Sequence, residues 1–132
     1  MKEVRDYLKE CGCYFIATVD EEGNPRVRPF GTAEIFEDHL YIETGKKKEV
    51  FKQIMNHPIV ELSACKSPSE WIRVTGKLVF DDRVEAKKDM LDKNPVLRRL
   101  YDENDDNTAV FYFESGKAVI SSFTEEDRII EF

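Results

Sequence analysis

Histidine, tryptophan and cysteine are scarce in this 132-residue chain, which carries two, one and three of them. An odd number of cysteines, with Cys11 and Cys13 only two positions apart, excludes the disulfide framework that staples small secreted domains, so reduced thiols are expected. Two thiols with no histidine beside them fall short of the four ligands of structural zinc; both are read as packing residues and no metal site is expected. Neither His39, at a hairpin, nor His57, in Asn-His-Pro, stands beside a nucleophile in a recognisable motif, which argues against hydrolase chemistry.

Long apolar runs are also missing. No stretch approaches the roughly 20 residues that cross a bilayer, so no membrane association is expected. Met1–Glu10 is a charged amphipathic start without the apolar centre of a signal peptide, which predicts a cytoplasmic protein. Positive charge is not in excess either: the formal net charge is -7. Nucleic-acid affinity rests on clustered Lys and Arg releasing counterions, so nucleic acid is not an expected partner. What is present is apolar material, 41% hydrophobic and 11% aromatic, enough for one core in one domain spanning 1-132.

Periodicity assigns the elements. Val4, Tyr7, Leu8 and Cys11 mark a short amphipathic helix over residues 2–10, placed to cover one end of a barrel. Strands are predicted at Tyr14–Val19, at Arg26–Phe36 after the turn Asp20–Pro25, and at His39–Glu43 after the tight connection Glu37-Asp38. A helix then begins near Lys46 and ends at Asn56-His57-Pro58; its stripe Val50, Phe51, Ile54, Met55 faces the sheet, and Lys48, Lys52, Gln53 face water or a ligand. Strands Ile59–Cys65 and Trp71–Phe80 follow, then a two-part helical insert over 82–103, with spacing through Val84, Lys88 and Leu91, broken at Asn94-Pro95. Glu103–Asn107 reads as a solvated acidic loop. A last hairpin, Thr108–Glu114 and Lys117–Phe123, turns at Ser115-Gly116. The fold expected is mainly β: a six-stranded antiparallel split barrel, closed, with flanking helices.

One local arrangement points to chemistry. Lys46-Lys47-Lys48 opens a helix, where the positive end of the macrodipole disfavours cations. A phosphate would reverse that sign by accepting free backbone N–H groups and the lysine ammoniums, with Gly45 allowing close approach; the alternative is a solvated basic turn. Arg26 and Arg28 share a strand face, and a guanidinium fork suits phosphate oxygens or a carbonyl edge. Pro29 cannot donate to a ladder and marks an edge or bulge. Trp71 and Arg73 share a face near a possible subunit contact.

The segments Gly23-Asn24-Pro25-Arg26-Val27-Arg28-Pro29-Phe30, Leu40–Lys48 and Glu70–Lys77, in that order and spacing, resemble the pyridoxamine 5′-phosphate oxidase-like FMN-binding split barrels. The resemblance covers nearly the whole chain and is strongest to short bacterial and archaeal members grouped with nitroimidazole-resistance reductases. It implies a homodimer with FMN at the interface. Arg26, Lys47 and Lys48 match the phosphate-holding positions. Val27, Arg28 and Pro29, within Val27–Gly31, together with Tyr41, Ile42, Glu43 and Thr44, match the strands that flank the isoalloxazine and ribityl groups; Trp71 matches a partner-chain contribution. Where true pyridoxamine phosphate oxidases carry a basic substrate residue this chain has Phe30-Gly31, and it lacks their Trp/Arg-containing C-terminal segment, which argues against that substrate. The resemblance thus implies electron transfer from a nicotinamide donor to a small acceptor of nitroaromatic or quinone type. A non-catalytic flavin- or haem-binding module and a deazaflavin-dependent reductase remain open alternatives. The apolar tail Arg128–Phe132 is expected to pack on a partner or on the flavin site.

Overall fold

The computed structural model describes residues 1–132 throughout. Helix α1 (Lys2–Cys11) leads into strands β1 (Tyr14–Val19), β2 (Pro25–Phe30), β3 (Glu34–Phe36) and β4 (His39–Gly45). Helix α2 (Glu49–Asn56), strands β5 (Ile59–Ser67) and β6 (Glu70–Asp81), helix α3 (Val84–Lys93) and a 3₁₀ turn (Pro95–Arg99) follow, before β7 (Thr108–Ser122) and β8 (Arg128–Glu131). All strand pairs are antiparallel, in the order β2-β1-β5-β6-β7-β4-β3, with β8 added to the outer half of β7.

The inward residues of these strands meet in one core. Ile16, Phe30, Leu40, Ile42, Val60, Leu62, Ile72, Val74, Phe111 and Ile120 are all buried in a single cluster, so the sheet curls until its two ends approach. The ends do not pair. β2 bonds only to β1, and β3 only to β4, leaving an open seam where a closed six-stranded barrel was expected. The predicted strand Arg26–Phe36 is therefore two strands. Gly31–Ala33 carries the chain from one edge of the sheet to the other, and Thr32 fastens the crossing: its carbonyl accepts from Tyr14 Oη at 2.6 Å and its Oγ1 accepts from the Glu43 N–H at 2.9 Å. Pro29 lies on the edge strand, where its missing donor costs no ladder bond.

The predicted hairpin at Ser115-Gly116 is absent, because β7 runs straight through it against the whole of β6. The register slips by one residue, Lys77 facing Ser115 while Leu78 faces Phe113, so Glu114 is an extra residue on β7. The bulge flips the inward parity from Ala109, Phe111, Phe113 to Ala118, Ile120, and a flip of phase beside Ser-Gly has the same sequence signature as a turn. Gly76 and Gly116 face each other there; a side chain on Gly76 would overlap Ser115 O, and one on Gly116 would overlap the Phe132 ring. Phe132 itself exchanges backbone bonds with Gly116 and packs on Phe113, so the tail adds an edge strand to its own sheet.

The tight turn at Glu37-Asp38 takes the form that a two-residue hairpin demands, with φ of 48° and 61°. In α1, Val4, Tyr7 and Leu8 are buried as the spacing predicts. In α2, Val50 and Ile54 are buried but Met55 is exposed, because the eight-residue helix rests on β1 and β4 along a narrow line that ends before Met55. In α3 the buried face is Ala86, Lys87, Met90 and Leu91, so Val84 and Lys88 turn outward; the helix packs on β3, β4 and β7 through a face one position away from that expected. Cys11 packs on the core, whereas Cys13, beyond the left-handed Gly12, is exposed and does not pack.

Candidate functional site

At the open seam lies a groove of about 270 Å³. One wall is β2 and the crossing, Arg28–Thr32; the floor is the end of β4, Glu43 and Thr44, with Lys48 and Val50 at the start of α2; the far wall is Leu97, Leu100 and Tyr101 from the 3₁₀ turn and beyond. Five residues expected at the site, Arg28, Pro29, Glu43, Thr44 and Lys48, are thus brought together.

Arg28 is a cation without a carboxylate. Its Nη1 donates to Ile16 O at 3.3 Å and to Thr18 Oγ1 at 2.7 Å, and its Nη2 donates to Gln53 Oε1 at 2.6 Å; Thr18 Oγ1 in turn donates to Gln53 Oε1. These neutral partners aim the guanidinium without neutralising it. Burial lowers the guanidinium's pKa below its ordinary value, an energetic cost that a bound anion would relieve.

The basic turn is built from outside its own segment. The Lys46 N–H donates to Asn107 O at 2.7 Å and the Lys47 N–H to Asn107 Oδ1 at 3.1 Å, so the loop expected to be merely solvated braces the lysines. That loop is itself organised by Asp105, whose carboxylate accepts from the N–H groups of Asp102, Asn107 and Thr108. The helix begins at Glu49, three residues later than expected, with Lys48 as its capping residue and no side chain capping the first turn. Lys46 is engaged by Asp82 at 3.4 Å and lies over the Phe80 ring, but Lys47 and Lys48 form no ion pair. An uncapped first turn, two free ammoniums and an uncompensated guanidinium form a donor set suited to a phosphate.

Two further oxygens lack partners. Glu43 Oε1 and Thr44 Oγ1 are buried with no hydrogen bond, although Glu43 is only 8% and Thr44 only 3% exposed. Burial pushes the Glu43 carboxyl up to about 8; Lys48 pulls against this and Asp105 adds to it. Both residues line the groove, so the missing partners fit a polar ligand there.

The other expected site residues lie elsewhere. Arg26 is exposed and paired with Asp20 at 3.0 Å. Val27 is 66% exposed on the outer face of β2, and Lys47 stands in solvent beside Lys48. The Ile42 side chain is in the core, and Tyr41 points to a second cluster with Ala86, Met90 and Val110, its Oη donating to Asp81 at 2.7 Å. Trp71 is half-buried on β6, edge-on to Phe123 at 5.5 Å. Sequence reasoning missed Thr18, Thr32, Gln53, Asn107 and the wall Leu97, Leu100, Tyr101. Only Gln53, read as facing water or a ligand, carried any local signal. A second hollow of equal volume, lined by Asp20, Glu21, Glu22, Glu49, Lys52, Gln53 and Asn56 among others, is dominated by carboxylates and repels anions; no role is assigned to it.

Comparison with known proteins agrees with this fold. The sequence profile of pyridoxamine 5′-phosphate oxidase matches residues 1–119. A NimC/NimA family protein of Clostridium acetobutylicum superposes with a TM-score of 0.95 at 40% identity, covering 100% of this chain and 92% of that one. A pyridoxamine 5′-phosphate oxidase-related, FMN-binding protein of Nostoc punctiforme gives 0.61 at 13% identity, covering 97% and 90%. A heme-binding protein of Mycobacterium smegmatis gives 0.65 at 13% identity, covering 95% of this chain and 57% of that one. These last two likenesses show the shared fold. No curated protein matches the sequence. No helix is long and apolar enough to cross a membrane. With its split-barrel fold and a profile match over nine-tenths of its length, the chain belongs to the pyridoxamine 5′-phosphate oxidase family.

Proposed function

We propose that this protein binds FMN at the open seam and works as a cytoplasmic, flavin-dependent oxidoreductase. The observation that carries the reading is the convergence on one groove of a carboxylate-free arginine, an uncapped helix start with Lys48 at its head, and two orphaned buried oxygens. Arg28, Lys47 and Lys48 would hold the phosphate, with Arg26 available on the same strand face once released from Asp20. Pro29–Gly31 on one side and Glu43–Thr44 on the other would flank the ring. FMN, when bound, supplies the hydride and electron chemistry. The protein orients it, and the apolar wall Leu97, Leu100, Tyr101 limits water at its edge.

The acceptor in this reading is a small, flat molecule of nitroaromatic or quinone type, and the donor a nicotinamide. Phe30-Gly31 offers no cation for a substrate phosphate, in keeping with a different substrate from pyridoxamine phosphate. The FMN-binding Nostoc relative supports the cofactor. Against haem, neither histidine lines the groove: His39 Nδ1 contacts Glu37 O, and His57 is exposed at the end of α2.

A second copy of the chain completes the site in this proposal. About 270 Å³ lies just below the roughly 300–1,000 Å³ usual for cofactor-sized ligands, so a further wall is needed. The outer face of the sheet carries a row Pro29, Phe15, Ser63, Arg73, Val119, Ile129, set by the strand register and adjoining Val27. Phe15 is 51% exposed, and Val27 and Ile129 are exposed as well, apolar area that a partner would cover next to the Arg28–Pro29 wall. The test is uptake of FMN. Purified protein should be yellow, or should turn yellow with added FMN and retain it through gel filtration; protein that takes up no FMN, or that takes up haem or a deazaflavin in its place, would overturn the proposal.

A further inference from the structure

Glu43 is the one buried acid in the groove, and nothing in the protein answers it. Its backbone is fixed by the bond to Thr32 Oγ1, yet its buried Oε1 has no hydrogen-bond partner. The titratable groups around it are committed elsewhere or placed outside contact. Tyr14 from β1 is buried and donates to Thr32 O; Arg28 from β2 is held by Ile16, Thr18 and Gln53. Lys48, before α2, and Asp105, before β7, act on it at a distance with opposite signs, and Tyr101 stands across the groove. An unpaired buried oxygen costs free energy, so such a group is expected to meet its partner in a ligand.

We propose that Glu43 determines ligand specificity in this groove: its carboxyl donates a hydrogen bond to a carbonyl-type acceptor on the edge of a phosphorylated ring compound, and binding of that compound is coupled to retention of the Glu43 proton. The proposal rests on the flavin reading above and names the edge chemistry that the site selects. The Thr44 hydroxyl, also unpartnered, supplies a second polar contact. The direction of the coupling follows from electrostatics. Lys48 is the neighbour that favours the charged carboxylate; a phosphate that takes up Lys48 removes that influence and adds negative charge nearby. Bound ligand therefore favours the neutral acid, which alone has an O–H to donate.

Because the free carboxyl titrates near 8, the wild-type protein should bind FMN about tenfold more weakly at pH 9 than at pH 7, as the neutral fraction falls. Glu43→Gln keeps a donor and an acceptor but cannot titrate. It should bind FMN within about threefold of wild type at pH 7 and lose the decline between pH 7 and pH 9. Glu43→Leu, with no donor, should bind more weakly than Glu43→Gln at every pH. Equilibrium fluorescence titration with FMN reads all three, with circular dichroism confirming the fold of each variant. A flat wild-type profile, or the same decline in Glu43→Gln, overturns the assignment of Glu43 while leaving the flavin reading in place. Failure of the wild-type protein to bind FMN at pH 7 overturns the flavin reading and this inference with it.

Discussion

Arg28→Ala isolates the phosphate contact, and the structure sets its size. A guanidinium has five N–H donors. Three are used, two from Nη1 toward Ile16 O and Thr18 Oγ1 and one from Nη2 toward Gln53 Oε1, leaving Nε–H and one Nη2–H. One or two charge-assisted bonds to a phosphate are worth roughly 1.5–3 kcal/mol, so the variant should bind FMN roughly 10- to 150-fold more weakly. The fold should tolerate the change. Thr18 Oγ1 and Gln53 Oε1 still bond each other at 2.6 Å, and the loss in stability should be about 1 kcal/mol, read as a small fall in Tm. Arg28→Lys keeps the charge but not the planar fork, and should fall between the two. FMN fluorescence titration at low salt measures each affinity. An Arg28→Ala protein that folds normally and binds FMN within twofold of wild type would refute the placement of the phosphate.

Lys48→Ala should weaken FMN binding by about 1.5–3 kcal/mol in the same titration, whereas Arg26→Ala should cost under about 1 kcal/mol, because Asp20 competes for that exposed guanidinium. Glu43 should make stability pH-dependent without any ligand. Its acid is raised in the folded state, so between about pH 4.5 and 8 the unfolded chain has released a proton that the folded chain keeps, and stability falls by up to about 1.4 kcal/mol per pH unit. Glu43→Gln should therefore melt higher than wild type at pH 8 and alike at pH 4, as thermal scans would show; equal melting at both would contradict the burial argument. Gly76→Ala should destabilise by about 1–3 kcal/mol in urea, since its methyl meets the backbone at Ser115 and the Phe113 ring at 2.7 Å; Gly116→Ala should cost less, because the terminal Phe132 ring can move. Light scattering should give twice the 15.4 kDa chain mass, and Phe15→Glu should shift it toward the monomer; a flavin-loaded monomer of wild type would contradict the shared site.

What could be read in advance divides along the range of the interactions. Period-2 and period-3.6 patterns located α1, β1 and β5, because those elements bury one face against one core; β4, buried on both faces, was marked by the turn before it, and Asn94-Pro95 by the helix-breaking proline. The patterns failed where long-range geometry overrode local chemistry. Ser115-Gly116 looks like a turn until the bulge at Glu114 is seen against Lys77 and Leu78. The seam at Gly31–Ala33 is invisible locally, since it exists only because β2 and β3 find partners at opposite ends of the sheet. The lysine turn stood out because three cations at a helix start conflict with the dipole. Its brace, Asn107, lies sixty positions away and carries no local mark. The resemblance puts Glu43 on a strand that flanks the cofactor; its burial without a partner is a tertiary fact.

In the proposed complex an anionic tail sits between Arg28 and Lys48. Parallel titration of the wild-type protein with FMN and with riboflavin, which share the ring and differ in the phosphate, measures that seat directly. FMN should bind at least tenfold more tightly at low salt, with the advantage shrinking as salt rises. Equal affinity for the two, or an advantage untouched by salt, would contradict the account.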